Sequence, residues 1–257
     1  MLSLQIFWVC KGLNTSSKKA EENQMKKLSV FLIIVLVICF VAYEFQASES
    51  EDVQRVMAFG DSLTYGKGDK DGEGYIEGLE DELNNPESEQ KVSFWNYGIK
   101  GQETDGVMKQ LDDYRIKTKL DEADTFIVYI GTNDLINSNG GDLEKISDRK
   151  INEGKREYIS HLKKITSTLI KANDKADILV VGLYNPIKGN QKLEKHIRDY
   201  NLSIKGIADK DNRMLFIPTN DLFEDKKKSE YFSDKLHPNE KGYQLIANRV
   251  LESYDFK

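Results

Sequence analysis

Two stretches of the chain, Thr125–Gly131 (TFIVYIG) and Ala176–Leu183 (ADILVVGL), are apolar at nearly every position. Strand side chains alternate between the two faces of a sheet, so a run that is apolar throughout needs cover on both faces. Val53–Gly60, Lys91–Gly98 and Arg213–Pro218 read as three further strands. Helical spacing marks Gly74–Leu83, Ile151–Lys171 and Lys192–Ile207, with a short helix at Thr104–Tyr114 and a closing one at Pro238–Tyr254. In the longest of these, Tyr158, Leu162, Ile165 and Leu169 share one side. Strand and helix alternate throughout. That order predicts an α/β fold, a parallel sheet with helices on both faces.

The N-terminal region does not share this pattern. Leu28 to Tyr43 (LSVFLIIVLVICFVAY) is an uncharged apolar run of 16 residues preceded by Lys26 and Lys27. No face of it is polar, which fits a buried core helix poorly. A basic start followed by an apolar run reads as a signal peptide or an N-terminal membrane anchor over residues 25–47. Phe45 stands at the −3 position of a cut after Ala47, and Ile38 rather than a small residue precedes Cys39. Both features favour an uncleaved anchor. Lys26 and Lys27 would stay inside, and the rest of the chain would be extracellular, secreted or held at the outer face of the cytoplasmic membrane. Residues 1–24 carry their own short apolar piece ahead of a polar stretch, and read as a non-native extension before a biological start at Met25. Residues 48–257 then form one domain.

Charge and cysteine usage narrow the chemistry of that domain. Residues 48–257 hold 32 Lys and Arg against 40 Asp and Glu, a net of −8. An acidic domain is a poor nucleic-acid binder, and anionic membrane surfaces repel it, so the membrane is met through the N-terminal segment. Cys10 and Cys39 both precede residue 48, which excludes a disulfide scaffold, a cysteine zinc site and a catalytic thiol downstream. Three histidines remain: His161, His196 and His237. The first two lie in helical stretches among Lys and Asp, and read as solvated surface.

In a sheet of this kind, ligands gather beyond the carboxyl ends of the strands. The unusual residues collect there. The first strand ends in Gly60-Asp61-Ser62-Leu63, the second in Asn96-Tyr97-Gly98, the third in Gly131-Thr132-Asn133-Asp134, and Asp234-Lys235-Leu236-His237-Pro238 follows the fifth. These blocks, GDSLTYG, the Gly98 turn, GTND and DKLHP, resemble in order the SGNH hydrolases, the GDSL-type lipases and esterases, in particular their exported Gram-positive lipase/acylhydrolase branch. The resemblance spans Gly60 to Pro238. It implies a three-layer α/β/α sandwich, flavodoxin-like, with a five-stranded parallel sheet in the order 2-1-3-4-5.

The residues support that reading on their own chemistry. Acyl transfer needs a nucleophile, a base, a group that orients the base, and oxyanion donors. Ser62 follows a strand and opens a helix, so its hydroxyl projects from a tight turn. His237 is the one histidine with a carboxylate three residues ahead of it, and Asp234 at that spacing reaches one ring nitrogen. The other nitrogen is left to face Ser62. The oxyanion hole would comprise the Ser62 and Gly98 backbone N–H groups and the Asn133 side-chain amide. Taken singly, Ser62 reads as a helix cap, Asn133 as a turn cap and His237 as a helix entry. Their joint placement at strand ends favours function. The resemblance gives Asp61 and Asp134 structural work at the turns.

The predicted activity is a serine esterase or lipase-type acylhydrolase that needs no cofactor and no metal. Its substrate would be a small acyl ester, a lipid or an acetylated sugar. A carbohydrate O-acetylesterase is the second reading, followed by a metal-dependent phosphoesterase and a non-catalytic surface protein. Asp69, Asp71, Glu73 and Glu80 mimic the spacing of a calcium loop, but no helix precedes Asp69, and no metal is assigned there.

Overall fold

The computed structural model describes residues 25, 28–29, 31–41, 53–72, 74–88 and 91–256. The chain divides into Met1–Glu51 and Asp52–Lys257. In the first unit, residues 31–41 are helical with exposed side chains. Among the described residues, no helix is long and apolar enough to cross a membrane. The proposed extension over residues 1–24, the lysines at 26 and 27 and the cleavage region at 42–47 lie outside the described residues.

The second unit carries the alternation expected of it. Strands β1 (Val53–Gly60), β2 (Lys91–Gly98), β3 (Thr125–Tyr129), β4 (Asp177–Val181) and β5 (Met214–Ile217) form one sheet in the order β2-β1-β3-β4-β5. All four pairings are parallel. Register places Gly60 of β1 beside Gly98 of β2 and Tyr129 of β3, which brings three of the motif-bearing strand ends to one level.

Alternate side chains of each strand feed different cores, as the pleat requires. Met57 and Phe59 of β1 join Phe126, Val128, Ile178 and Val180 on one face. That face is covered by α3 (Thr104–Asp112), α5 (Asp148–Ala172) and α6 (Gln191–Ala208) through residues such as Val107, Leu162 and Ile197. Val56 and Ala58 join Ile127, Leu179 and Ile217 on the other face. There α2 (Gly74–Leu83) and α7 (Glu240–Ser253) supply Tyr75, Leu79, Tyr243 and Ile246. The result is the three-layer sandwich. Two short helices, α1 (Ser62–Tyr65) and α4 (Thr132–Ser138), open directly from the ends of β1 and β3.

Details differ from the sequence reading at the closing helix and at both helical histidines; His161 is half-buried, its Nδ1 3.1 Å from Thr104 Oγ1. The closing helix begins at Glu240, not Pro238, because Asn239 caps it by accepting the Gly242 N–H at 3.2 Å. Pro238 instead sits in a small antiparallel bridge with Phe232. His196 is buried rather than solvated, 1% exposed, with Nε2 2.7 Å from Asp148 Oδ1 at the start of α5. Its hydrogen-bond partner lies 48 residues away, so nothing local could disclose the burial.

Candidate active site

The turn after β1 assigns capping and projection to different residues. Asp61 is the cap of α1, and its Oδ1 accepts the Leu63 N–H at 2.9 Å. Ser62 is therefore free of capping duty, and its Oγ lies 3.0 Å from His237 Nε2. The helix stops after one turn at Gly66, whose φ of 88° is a left-handed conformation that favours glycine.

His237 is held by a tight loop. Ser233 N–H donates to His237 O at 3.0 Å and Asn239 N–H to Tyr231 O at 3.0 Å, closing a miniature hairpin. Asp234 Oδ1 accepts the N–H groups of Leu236 and His237, each at 2.7 Å. Its Oδ2 lies 2.7 Å from His237 Nδ1. The loop is tied down from outside by the Tyr184 hydroxyl, which donates to Leu236 O at 2.7 Å. Tyr184 is buried against Phe223 and Phe232. From there it props the histidine loop.

The electrostatics follow from this packing. Burial works against ionisation of Asp234, but the two amide hydrogen bonds and the imidazole outweigh it and hold its pKa at about 2. Burial pushes the His237 imidazole below its ordinary value of 6.5, assisted by the charge of Lys67 and opposed by Asp234. At neutral pH, His237 is thus a neutral base beside an ionised carboxylate. That carboxylate fixes the proton on Nδ1 and leaves Nε2 to accept from Ser62.

The three predicted oxyanion donors occupy neighbouring strand ends and are held differently. The Ser62 N–H stands at the first position of α1, where a helix N–H has no intrahelical acceptor. The Gly98 N–H donates to Asn96 Oδ1 at 2.9 Å. The Asn133 amide donates to Asp61 Oδ2 at 3.2 Å and to Gln102 O at 3.0 Å. Asn96 and Gln102 were assigned no role in the sequence. Asn96 was visible at a strand end two residues before Gly98, but its hydrogen bond to Thr64 O depends on tertiary packing.

Gly98 is required for close approach. A Cβ at this position would lie 2.4 Å from Tyr65 N and 2.7 Å from Thr64 C, both backbone atoms of α1. Gly98→Ala therefore pushes the Ser62–Tyr65 turn away from β2. The expected cost is about 1–3 kcal/mol of stability with lowered turnover, read from urea midpoints and initial rates.

Asp61 directly precedes Ser62 and is 1% exposed. Burial, reinforced by the charge of Asp134 and partly offset by the Leu63 amide, raises its pKa from 3.8 to about 7. Asp134 is raised to about 6, again chiefly by burial. Between pH 3.8 and 7 the folded chain keeps a proton on Asp61 that the unfolded chain has lost, so this residue lowers stability as pH rises across that window. Asp61→Asn carries no such proton. Relative to the wild type, the variant gains stability from pH 4 to pH 7, on the order of 4 kcal/mol in total. Thermal melts across the range check this. Asp134 is coupled to Asp61 through its charge, so the difference reads the pair, and parallel melting curves would refute the Asp61 assignment.

Among the described residues, no group of three or more His, Cys, Asp or Glu is placed to hold a metal ion. Of the calcium-like spacing, Glu73 lies outside the described residues, and Asp69 uses its carboxylate to accept the N–H groups of Asp71 and Gly74.

The chain is similar to several proteins in sequence and in fold. The chain is 29% identical over 245 residues to the uncharacterized protein YpmR of Bacillus subtilis, covering 88% of this chain and 96% of that one. It is 25% identical over 203 residues to the spore germination lipase LipC of Bacillus licheniformis, covering 75% of this chain and 92% of the relative. Among solved structures, the lipase Lip_vut3 from a goat rumen metagenome superposes with a TM-score of 0.65 at 24% identity, covering 78% of this chain and 97% of that one. Axe2, an acetylxylan esterase from Geobacillus stearothermophilus, superposes with a TM-score of 0.64 at 20% identity, covering 79% and 95%. Residues 58–245, from within β1 to within α7, match the profile of the GDSL-like Lipase/Acylhydrolase family. With that match running across every strand end described above, the chain belongs to the GDSL-like lipase/acylhydrolase family and is an ester hydrolase of that type.

Proposed function

We propose that the chain is an acylhydrolase of carboxylic esters in which Ser62 is the nucleophile, His237 the general base and acid, and Asp234 the residue that orients His237. The observation that carries this is the continuous contact from Ser62 Oγ through the imidazole to Asp234 Oδ2, at 3.0 and 2.7 Å. Ser62 Oγ forms a bond to the ester carbonyl carbon as its proton passes to His237 Nε2. The tetrahedral intermediate collapses, the bond to the alcohol oxygen breaks, and His237 returns the proton to that oxygen. Water, activated by the same imidazole, then cleaves the acyl-enzyme.

Gly98 N–H, Ser62 N–H and the Asn133 amide serve the developing oxyanion. Two of these donors already have neutral or weakly charged partners in the free enzyme, and the oxyanion takes them over because a charge-assisted hydrogen bond is the stronger one. Asp61, with a pKa near 7, is a weaker competitor for the Asn133 amide than a fully ionised carboxylate would be.

The apolar run behind Lys26 and Lys27 supports a second element of the proposal: export, with residues 25–47 retained as an anchor and the catalytic domain outside the cell. Relatedness to a spore germination lipase favours acyl esters of lipid type as substrates.

A fluorophosphonate probe tests the mechanism directly. The expected result is a single adduct on Ser62, mapped by peptide mass, that persists in chelator and is lost in His237→Ala. An adduct elsewhere, or none, would overturn the assignment.

A further inference from the structure

The rim beside Ser62 combines apolar and cationic side chains within an acidic domain. Tyr65, at the end of α1, is 43% exposed, and Ile99, just after β2, is 48% exposed. Both adjoin the nucleophile turn. Ile99 N–H donates to Gly60 O at 3.1 Å, and Gly98 lies against the Thr64–Tyr65 backbone. The other exposed large hydrophobics described in the domain, Tyr114 and Leu202, belong to other segments of the chain.

Two lysines complete the rim. Lys100 places its ammonium 4.0 Å from the centroid of the Tyr65 ring. Lys67 is joined to the same turn, its N–H donating to Ser62 O at 2.9 Å, and its charge bears on His237. Neither makes an ion pair among the described residues, whereas Lys109, Lys195, Lys205 and Lys235 are each paired with a carboxylate. Two lysines beside Ser62 offer an anion close positive partners in a domain of net −8. The ring contact holds Lys100 in place before any ligand arrives, which lowers the ordering cost of binding.

We propose that this rim is a substrate subsite for an amphiphilic ester: an apolar segment lies on Tyr65 and Ile99, and an anionic group, phosphate or carboxylate, pairs with Lys100 and Lys67. The inference rests on the acylhydrolase reading of Ser62 and adds a charge and polarity requirement to it. The domain's net charge repels an anion at long range. Screening over about 8 Å at physiological salt weakens that repulsion and leaves direct contact with the two lysines to favour the anion.

The test uses the full chain and two soluble butyrate esters, 4-nitrophenyl butyrate and the butyrate ester of 5-hydroxy-2-nitrobenzoate, which adds a carboxylate to the leaving group. The readout is the ratio of kcat/KM for the anionic ester to that for the neutral one. The ratio is expected to exceed one, to fall about fivefold in Lys100→Gln, the size of one exposed ion pair, and to recover in Lys100→Arg. It should also decline with added salt. A ratio unmoved by Lys100→Gln overturns the subsite while leaving ester hydrolysis intact. Absence of turnover on both esters, with Ser62 unlabelled by fluorophosphonate, overturns the acylhydrolase reading itself. A second arm separates a single ligand from a bilayer. Loss of binding to phosphatidylglycerol vesicles in Lys100→Gln, with the soluble-ester ratio unchanged, would assign the lysine to surface attachment and also overturn the subsite.

Discussion

Ser62→Ala is expected to lower kcat on a short-chain ester by about 10⁵–10⁶-fold with KM little changed, because removing a nucleophile from a working triad eliminates the acyl-enzyme route. The fold should survive. Asp61, not Ser62, caps α1, so the substitution removes no helix-capping hydrogen bond. The measurement is a pre-steady-state and steady-state comparison on 4-nitrophenyl esters of graded chain length, with thermal melts as the folding control. Residual rate would come from the oxyanion donors and binding, as in other triads stripped of one member. Equal turnover by wild type and variant would remove Ser62 from the chemistry.

Asp234→Asn is expected to cost about 10³–10⁴-fold in kcat, by a different route. Asp234 Oδ1 accepts two backbone N–H groups, and an asparagine oxygen can keep both. The amide nitrogen then faces His237 Nδ1 in place of Oδ2. Two donors cannot share that contact, so the imidazole adopts the other tautomer, with its proton on Nε2. In that form it cannot accept the Ser62 proton. The loop stays in place while the base is disabled. Kinetics beside a nitrogen-resolved NMR spectrum of the imidazole would separate this outcome from a collapsed loop. An unchanged rate would show that the carboxylate does not set the tautomer.

The limits of sequence reasoning lie where a residue's partner is remote. β1 and β2 were legible to the residue, since each ends in a glycine at a motif. β3 was read through Gly131, but pairing stops at Tyr129 because the chain turns into α4 through Gly131, whose φ is 129°. Alternation gave the layers, whereas the strand order came from the family resemblance, which spacing does not encode. Asp234 and His237 sit three positions apart, so their pairing could be anticipated. The direction of the Asn133 amide could not, because it is set by Asp61 and Gln102, 72 and 31 residues away. His196 failed for the same reason: the helical stretch around it is polar, and its burial depends on Asp148.

The catalytic contacts divide unequally along the polypeptide. Base and orienting carboxylate form a local unit in one short hairpin, while the hydroxyl they serve is 175 positions upstream. A ribosome releases that hydroxyl 175 positions ahead of the imidazole. A nascent chain ending before residue 231 therefore contains the proposed nucleophile without the proposed base. On the proposed mechanism, hydrolytic competence waits for the 231–239 hairpin to dock, and chains that stall in synthesis before it stay chemically silent.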